Sequence, residues 1–246
     1  MDKGFQERYG YEIDGMWLPR VTAITSQSLS RSSYLEHRLK YSAQWGSEVH
    51  EGVERMLKGE EEKEEDATRI SLDAFRSWME QSHCRVLNPE EDVEVRVVDF
   101  EEGYAGTIDM VAEVAGRLGV VDVKTTSAVT RQHRLQTAAY LAALRKERGI
   151  EADGRWILRI DQYQLCLGCE ARITAKYGNH RPQGGHESCN HQWGEARAES
   201  ELTELTNFEQ DLEGFLDAKE RWEWANRFTL AEIPGYQKSV FTRIFV

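Results

Sequence analysis

Apolar positions recur along this chain with two periods, and the changes between them mark out the elements. Val49, Val53, Met56 and Leu57 fall three or four residues apart, which predicts a helix over Ser33–Lys58, with Gly46 a point where it can break into two pieces. Ile70, Leu72, Phe75 and Trp78 predict a second helix over Thr68–Ser82. The period then drops to two: Val93, Val95 and Val97 alternate with Glu94, Arg96 and Val98, the pattern of a strand. Two more strands are expected at Ala105–Val114 and Arg117–Val123, joined by a turn at Ala115-Gly116. Arg131–Arg148 returns to helical spacing, with Leu135, Ala138, Ala139 and Ala142 on one face, and Arg155–Ile160 reads as a strand. Leu202, Leu205, Phe208, Leu212, Phe215, Leu216 and Trp222 predict a long amphipathic helix with an acidic outer face. Trp17–Ile24 reads as extended, because Pro19 forbids a continuous helix, and Val240–Val246 as a last strand. Strands with helices before and after them imply an α/β (α+β) fold, a mixed central sheet with helices packed on it.

The 246 residues suit a single elaborated domain, 1–246, and the 40% hydrophobic content, with seven Trp, nine Tyr and eight Phe, suffices for a substantial core. No apolar run approaches the roughly 20 residues that cross a bilayer. Met1–Arg8 has no apolar signal core, so an intracellular (cytoplasmic) protein is expected. A net charge of −12 argues against indiscriminate binding to nucleic acid, but the acids are concentrated at Glu60–Asp66 and Glu199–Glu223. Lys124–Arg148, with Arg131, His133, Arg134, Arg145 and Lys146, is locally basic, and local fields steer a polyanion more than the total does. The stretch 162–195 breaks the rhythm: it is poor in aliphatic residues and rich in Cys, His and Gly, and reads as an insertion in the domain.

The chemistry centres on Gly106-Thr107-Ile108-Asp109 and Asp122-Val123-Lys124. Two acids on adjacent antiparallel strands can converge on one hard divalent cation such as Mg²⁺, which prefers oxygen ligands and keeps several waters. Strand alternation puts Asp122 and Lys124 on one face, so the ammonium group can reach a metal-activated water or a phosphate oxygen, and the Val123 carbonyl is a further candidate ligand. Gln136 and Tyr140, a helical turn apart on the next helix, point to one side, and His50 sits on the first long helix. Each of these residues alone is as well explained by ordinary packing or exposure.

Taken in order, His50, Gly106–Asp109, Asp122–Lys124 and Gln136-x-x-x-Tyr140 resemble the RecB-type branch of the PD-(D/E)xK nuclease superfamily. That branch includes the RecB nuclease domain, CRISPR-associated RecB-like exonucleases, the mitochondrial genome maintenance exonuclease and phage members. The segment Leu18–Ile24 is similar to the one preceding the His-bearing helix in several of them. The resemblance implies a restriction-endonuclease-like fold and a DNA nuclease, most simply an exonuclease on ends or single strands in recombination, repair or phage DNA metabolism. It assigns Mg²⁺ or Mn²⁺ to His50, Asp109 and Asp122, beside which the Val123 carbonyl stands as the further candidate, water activation to Lys124, and DNA contact or site orientation to Gln136 and Tyr140. Asp122 stands where the family often has Glu. Glu94, on the preceding strand, is an auxiliary acid at most and reads more simply as a surface charge. The alternative function is a catalytically silent nuclease fold that binds DNA or protein, or a subunit of a larger recombination or CRISPR complex.

Cys166-Leu167-Gly168-Cys169 forms a two-residue knuckle, and His186-Glu187-Ser188-Cys189-Asn190-His191-Gln192-Trp193 resembles the second knuckle of a zinc ribbon. A structural Zn²⁺ held by Cys166, Cys169, Cys189 and a histidine is expected, with His186 favoured over His191 and His180 an outside candidate. Metal binding would then supply the folding energy that so apolar-poor a segment lacks. An iron–sulfur cluster fits less well, because Cys84 lies between His50 and the acids and Cys189 is far from its neighbours in sequence. Arg172, Lys176, His180 and Arg181 decorate the insert, which is a candidate surface for DNA or a protein partner.

Overall fold

The computed structural model describes residues 3–26, 33–60, 67–126, 128–174 and 182–236. Glu61–Asp66, Lys176, His180, Arg181 and the strand expected at Val240–Val246 lie outside them.

Helix α1 (Lys3–Tyr9) leads into a hairpin of β1 (Gly10–Ile13) and β2 (Met16–Pro19), turned at Asp14-Gly15, both with positive φ as tight hairpins require. Pro19 closes that strand, and the chain then coils into α2 (Val21–Thr25), burying Val21, Ala23 and Ile24. Trp17–Ile24 is therefore extended only through Arg20. The apolar run beyond it is too short for its period to be read from sequence. Helix α3 (Ser33–Leu57) is continuous, with no break at Gly46. It meets α4 (Arg69–Ser82) at Gly52, where a methyl group would lie 2.7 Å from Leu72.

A single turn, α5 (Pro89–Asp92), precedes the main sheet. Its strands are β3 (Val93–Asp99), β4 (Tyr104–Val114), β5 (Arg117–Lys124), β6 (Gly154–Leu165), β7 (Arg172–Thr174) and β8 (Arg197–Glu204). Strands β3, β4 and β5 are antiparallel neighbours; α6 (Arg131–Arg148) then crosses over to bring β6 parallel to β5, as a parallel pair demands. β8 runs antiparallel along the far edge of β6, and β7 pairs with β6 where it extends past the end of β5. Helix α7 (Phe208–Leu230) closes the described fold. This is a mixed sheet flanked by helices, consistent with a restriction-endonuclease-like fold.

Two apolar layers hold it. One joins α2, α6 and α7 to the sheet through Ile24, Leu141, Leu144, Phe215, Ile108 and Val120. The other joins α3 and α4 through Trp45, Val49, Phe75, Met110, Val121 and Leu158. Cys84 belongs to this second layer, and burial pushes its thiol up to about 12; it is a core residue. Among the described residues no helix is long and apolar enough to cross a membrane.

Two further expectations are corrected. The amphipathic helix begins at Phe208, not Leu202: Arg197–Glu204 is strand, its alternate residues turned inward, with Leu202 against the second layer and Ser200 Oγ donating to the Ala74 carbonyl. Leu202 and Leu205 happen to continue the helical spacing of α7, and pairing with β6 overrides it. The basic run Lys124–Arg148 is largely neutralised. Arg134 pairs with Asp211, Lys146 with Asp99 and Glu101, and Arg148 with Asp92.

Candidate active site

The β4–β5 hairpin places the two aspartates. Ala115 and Gly116 both take positive φ in its turn, which fixes the register as Val114 to Arg117 and onward to Met110 opposite Val121. One step further along the same register Asp109 faces Asp122. There the backbone ladder stops, and the Asp109 side chain takes its place: Oδ2 accepts the Val123 N–H at 2.6 Å. The strands open at this point and leave their acids at the mouth.

Helix α3 brings His50 to that mouth, with Nδ1 3.2 Å from Asp109 Oδ1. Burial opposes a charged ring, but the charge and hydrogen bond of Asp109 outweigh it and the His50 pKa is raised. In return His50, with Lys124 and the Val123 N–H, holds Asp109 low against its own burial. Asp122 is 1% exposed and faces two partners: Lys124 Nζ lies 2.5 Å from Oδ2, and Gln136 Nε2 donates to Oδ1 at 3.2 Å. Burial, reinforced by the charge of Asp109, still pushes Asp122 up to about 6 against the pull of Lys124. The Lys124 pKa is raised, because Asp122 and Asp109 overcome the burial of its ammonium group. That ammonium also donates to the Val123 carbonyl at 3.3 Å.

Gln136 makes a second bond, to the Tyr140 hydroxyl at 3.0 Å, so α6 supports the centre from below. Tyr140 packs against Gly106, where a methyl group would come within 2.4 Å of its ring. This explains the glycine of Gly106-Thr107-Ile108-Asp109 as a close-approach position.

Glu94 is the residue the sequence undervalued. His50, Glu94 and Asp109 bring one ligand atom each within 4.8 Å of one another. The β3–β4 register, Val93 to Met110 and Val95 to Ile108, leaves Glu94 opposite Asp109, and Glu94 adopts φ +54°, a conformation that ordinary residues avoid. Burial and the charge of Asp109 push it up to about 7. A signal existed in the strand alternation, but the pairing that gives it meaning is non-local.

Three carboxylates converge here with one lysine and one histidine, and burial drives two of the three towards their protonated forms. Hard oxygen donors with this excess of negative charge fit a divalent cation, which would relieve the repulsion that raises Glu94 and Asp122. His50, Glu94 and Asp109 are the side chains whose ligand atoms lie close enough together to hold it, and Asp122, whose oxygens face Lys124 and Gln136, stands beside them across the hairpin as the further candidate.

In the insert, Cys166, Cys169, Cys189 and His191 each bring a ligand atom within 4.8 Å of the others. The fourth corner is His191, not the His186 expected from the ribbon pattern. The exposed His186 offers its carbonyl to the Cys189 N–H at 3.0 Å instead, while His191 Nδ1 lies 3.4 Å from Cys169 Sγ. Cys166 and Cys189 are 3.8 Å apart, far too long for a disulfide and close to the edge, about 3.8 Å, of a tetrahedron with 2.3 Å metal–sulfur bonds. The Gly168 N–H donates to Cys166 Sγ at 3.4 Å. Such donors, together with His191, outweigh burial and lower the Cys166 thiol to about 6. Arg172 is bonded to Asp161 and lies over the Tyr163 ring, so it braces the base of the insert.

A family model described as the PD-(D/E)XK nuclease superfamily matches residues 24–232. The match spans most of the chain, which therefore belongs to that superfamily of metal-dependent nucleases. No curated protein matches the chain significantly.

Proposed function

We propose that this PD-(D/E)XK superfamily member is a RecB-type DNA exonuclease that hydrolyses phosphodiesters at ends or in single strands with Mg²⁺ or Mn²⁺. The observation that carries the reading is the convergence of His50, Glu94, Asp109, Asp122 and Lys124 where β4 and β5 part. His50, Glu94, Asp109, Asp122 and the Val123 carbonyl are the donors for the ion. When bound, a divalent cation stabilises charge on the scissile phosphate and acidifies an attacking water. Lys124 donates to that water or to a phosphate oxygen, and Asp122 keeps the ammonium group in place. Gln136 fixes the rotamer of Asp122, and Tyr140 fixes Gln136. A cysteine–histidine metal cluster suits a reducing, intracellular setting, and recombination, repair or phage DNA metabolism is the natural context for such an activity.

The second ion is a structural Zn²⁺ on Cys166, Cys169, Cys189 and His191, and the domain is a single nuclease unit with this insert between β6 and β8.

The test is a time course with end-labelled linear and covalently closed single-stranded DNA in Mn²⁺, with EDTA controls. Metal-dependent loss of linear DNA, abolished in Lys124→Ala and Asp122→Asn, is expected. Equal degradation by either variant overturns the site; equal degradation of circles overturns the exonuclease assignment. Metal analysis should find about one zinc per chain, and finding none removes the second ion.

A further inference from the structure

Next to the catalytic mouth, two guanidinium groups converge on one aromatic ring. The Cζ of Arg96 lies 3.9 Å and that of Arg20 4.3 Å from the centroid of Tyr11. They reach it from opposite flanks of β4. Arg96 stands on β3, and Arg20 bridges Ala105 on the edge of β4 that faces away from Val98 and β3. We propose that Arg96, set by Tyr11 and Arg20, binds a backbone phosphate of the DNA strand next to the scissile one.

The position follows from register. Arg96 is opposite Thr107, and Glu94 falls opposite Asp109. Arg96 is thus displaced from the ion-binding donors by two residues of strand, about 7 Å. Thr107 and Asp109 are the partly open positions of this half of β4, between the buried Gly106, Ile108 and Met110, so Arg96, opposite Thr107, and the acids share the accessible side. A strand held at Glu94 and Asp109 therefore runs on past Arg96.

The state of the two cations separates their roles. Arg20 is committed to the fold: it donates to the carbonyls of Gly10 and Glu7 and so ties β1 and α1 to the end of β2. Arg96 is exposed and, among the described residues, forms no ion pair; Tyr11 is its partner. Stacking on a ring leaves the edge donors of a guanidinium free, and their planar fork matches phosphate oxygens. Three of the cations expected from the sequence, Arg134, Lys146 and Arg148, are by contrast engaged in ion pairs. In a chain of net charge −12, an unpaired arginine beside a cluster of acids is where a polyanion gains attraction.

This inference rests on the nuclease reading, and its test separates the two. Cleavage of a single-stranded oligodeoxynucleotide is measured in Mn²⁺ for the wild type, Arg96→Gln and Arg96→Lys over a series of salt concentrations. Loss of a phosphate contact should raise KM roughly tenfold with kcat within about twofold, the signature of lost uniform binding. The slope of log KM against log salt should fall by about 0.7, the value for one single-strand phosphate. Arg96→Lys should recover the salt slope but not the full affinity, because the point charge remains and the fork does not. KM and slope unchanged in Arg96→Gln, with an active wild type, overturn the phosphate site alone. A wild type that neither cleaves nor binds the oligonucleotide overturns the nuclease reading and this site with it.

Discussion

The catalytic mouth and the cysteine insert both gather ligand-type side chains, but they are supported in opposite ways. Asp109 and Asp122 sit between Ile108, Met110, Val121 and Val123, all essentially buried, and every polar atom that positions them comes from the same packed body. In the insert, the buried positions among the described residues from Cys166 to Ala196 are Cys166 and Ala171. One region is held in place by the core and then offers its donors to an ion; the other has little beyond its donors to hold it. Removing an ion should therefore cost activity in the first region and structure in the second.

The largest effect expected is on the insert. Structural zinc contributes on the order of 10 kcal/mol to the folding of small Cys/His sites. Cys189→Ser should abolish stoichiometric zinc and open the segment between Leu167 and Ala196 to limited proteolysis, while the melting of the main domain is nearly unchanged. Cleavage sites inside β4 or β5 after this substitution would break the contrast, because they would show the insert propping up the sheet.

Lys124→Ala comes next, on activity alone. Losing a group that donates to the reacting water or phosphate costs on the order of a thousandfold in kcat. Asp122 then loses the charge that opposes its burial and shifts further towards its neutral form, so the fold is expected to survive. Circular dichroism and thermal melting alongside the rate measurement check both halves; a variant that unfolds would show that Lys124 is part of the support.

The two regions were also unequally legible. Asp109, Asp122 and Lys124 could be paired from sequence because a two-residue turn at Ala115-Gly116 makes their meeting a local matter of counting along a hairpin. Helical spacing on α6 puts Gln136 and Tyr140 on one side, and the resemblance to the nuclease branch, not the spacing, brings them into the site. Glu94 is undervalued in the sequence, as an auxiliary acid that reads more simply as a surface charge, because its partner Asp109 arrives through the register of a different strand pair, and its left-handed backbone has no sequence mark. Motif spacing favours His186, whereas in the fold His191 joins the three sulfurs and His186 gives its carbonyl to the Cys189 N–H. Gly185 takes φ +75° and passes so near Cys169 that a methyl group would lie 2.8 Å from the sulfur. The end of β8 reads as helix in the sequence because Leu202, with Leu205 just beyond the strand, fits either period until β6 is beside it.

A third effect, about 1–3 kcal/mol of stability, is expected of Gly106→Ala, the usual cost of overpacking. The added methyl meets Tyr140 at 2.4 Å and Val21 at 3.3 Å, both within the first apolar layer. Relief by movement of Tyr140 disturbs the bond to Gln136 and through it Asp122, so kcat should fall with the melting temperature. A normal rate in a destabilised variant would show that Tyr140 packs without orienting the site.

The smallest effect should have the opposite sign. Gly46 lies within α3, which runs through it unbroken, and a methyl group there meets Thr125 Oγ1 at 3.6 Å, an ordinary contact. Its backbone has no positive φ to protect, so Gly46→Ala removes only the unfolded-state freedom of glycine and should stabilise by about 0.5–1 kcal/mol. The same substitution is thus harmful at Gly106 and helpful at Gly46, and nearness to a ring rather than residue type decides between them. Because His50 stands one turn further along α3, the rate in Gly46→Ala also reports on the helix. An unchanged kcat with a higher melting temperature is expected of a histidine already fixed by Asp109. A lower kcat would show that α3 must flex at Gly46 to deliver His50, and the catalytic mouth would then depend on mobility as well as on the core.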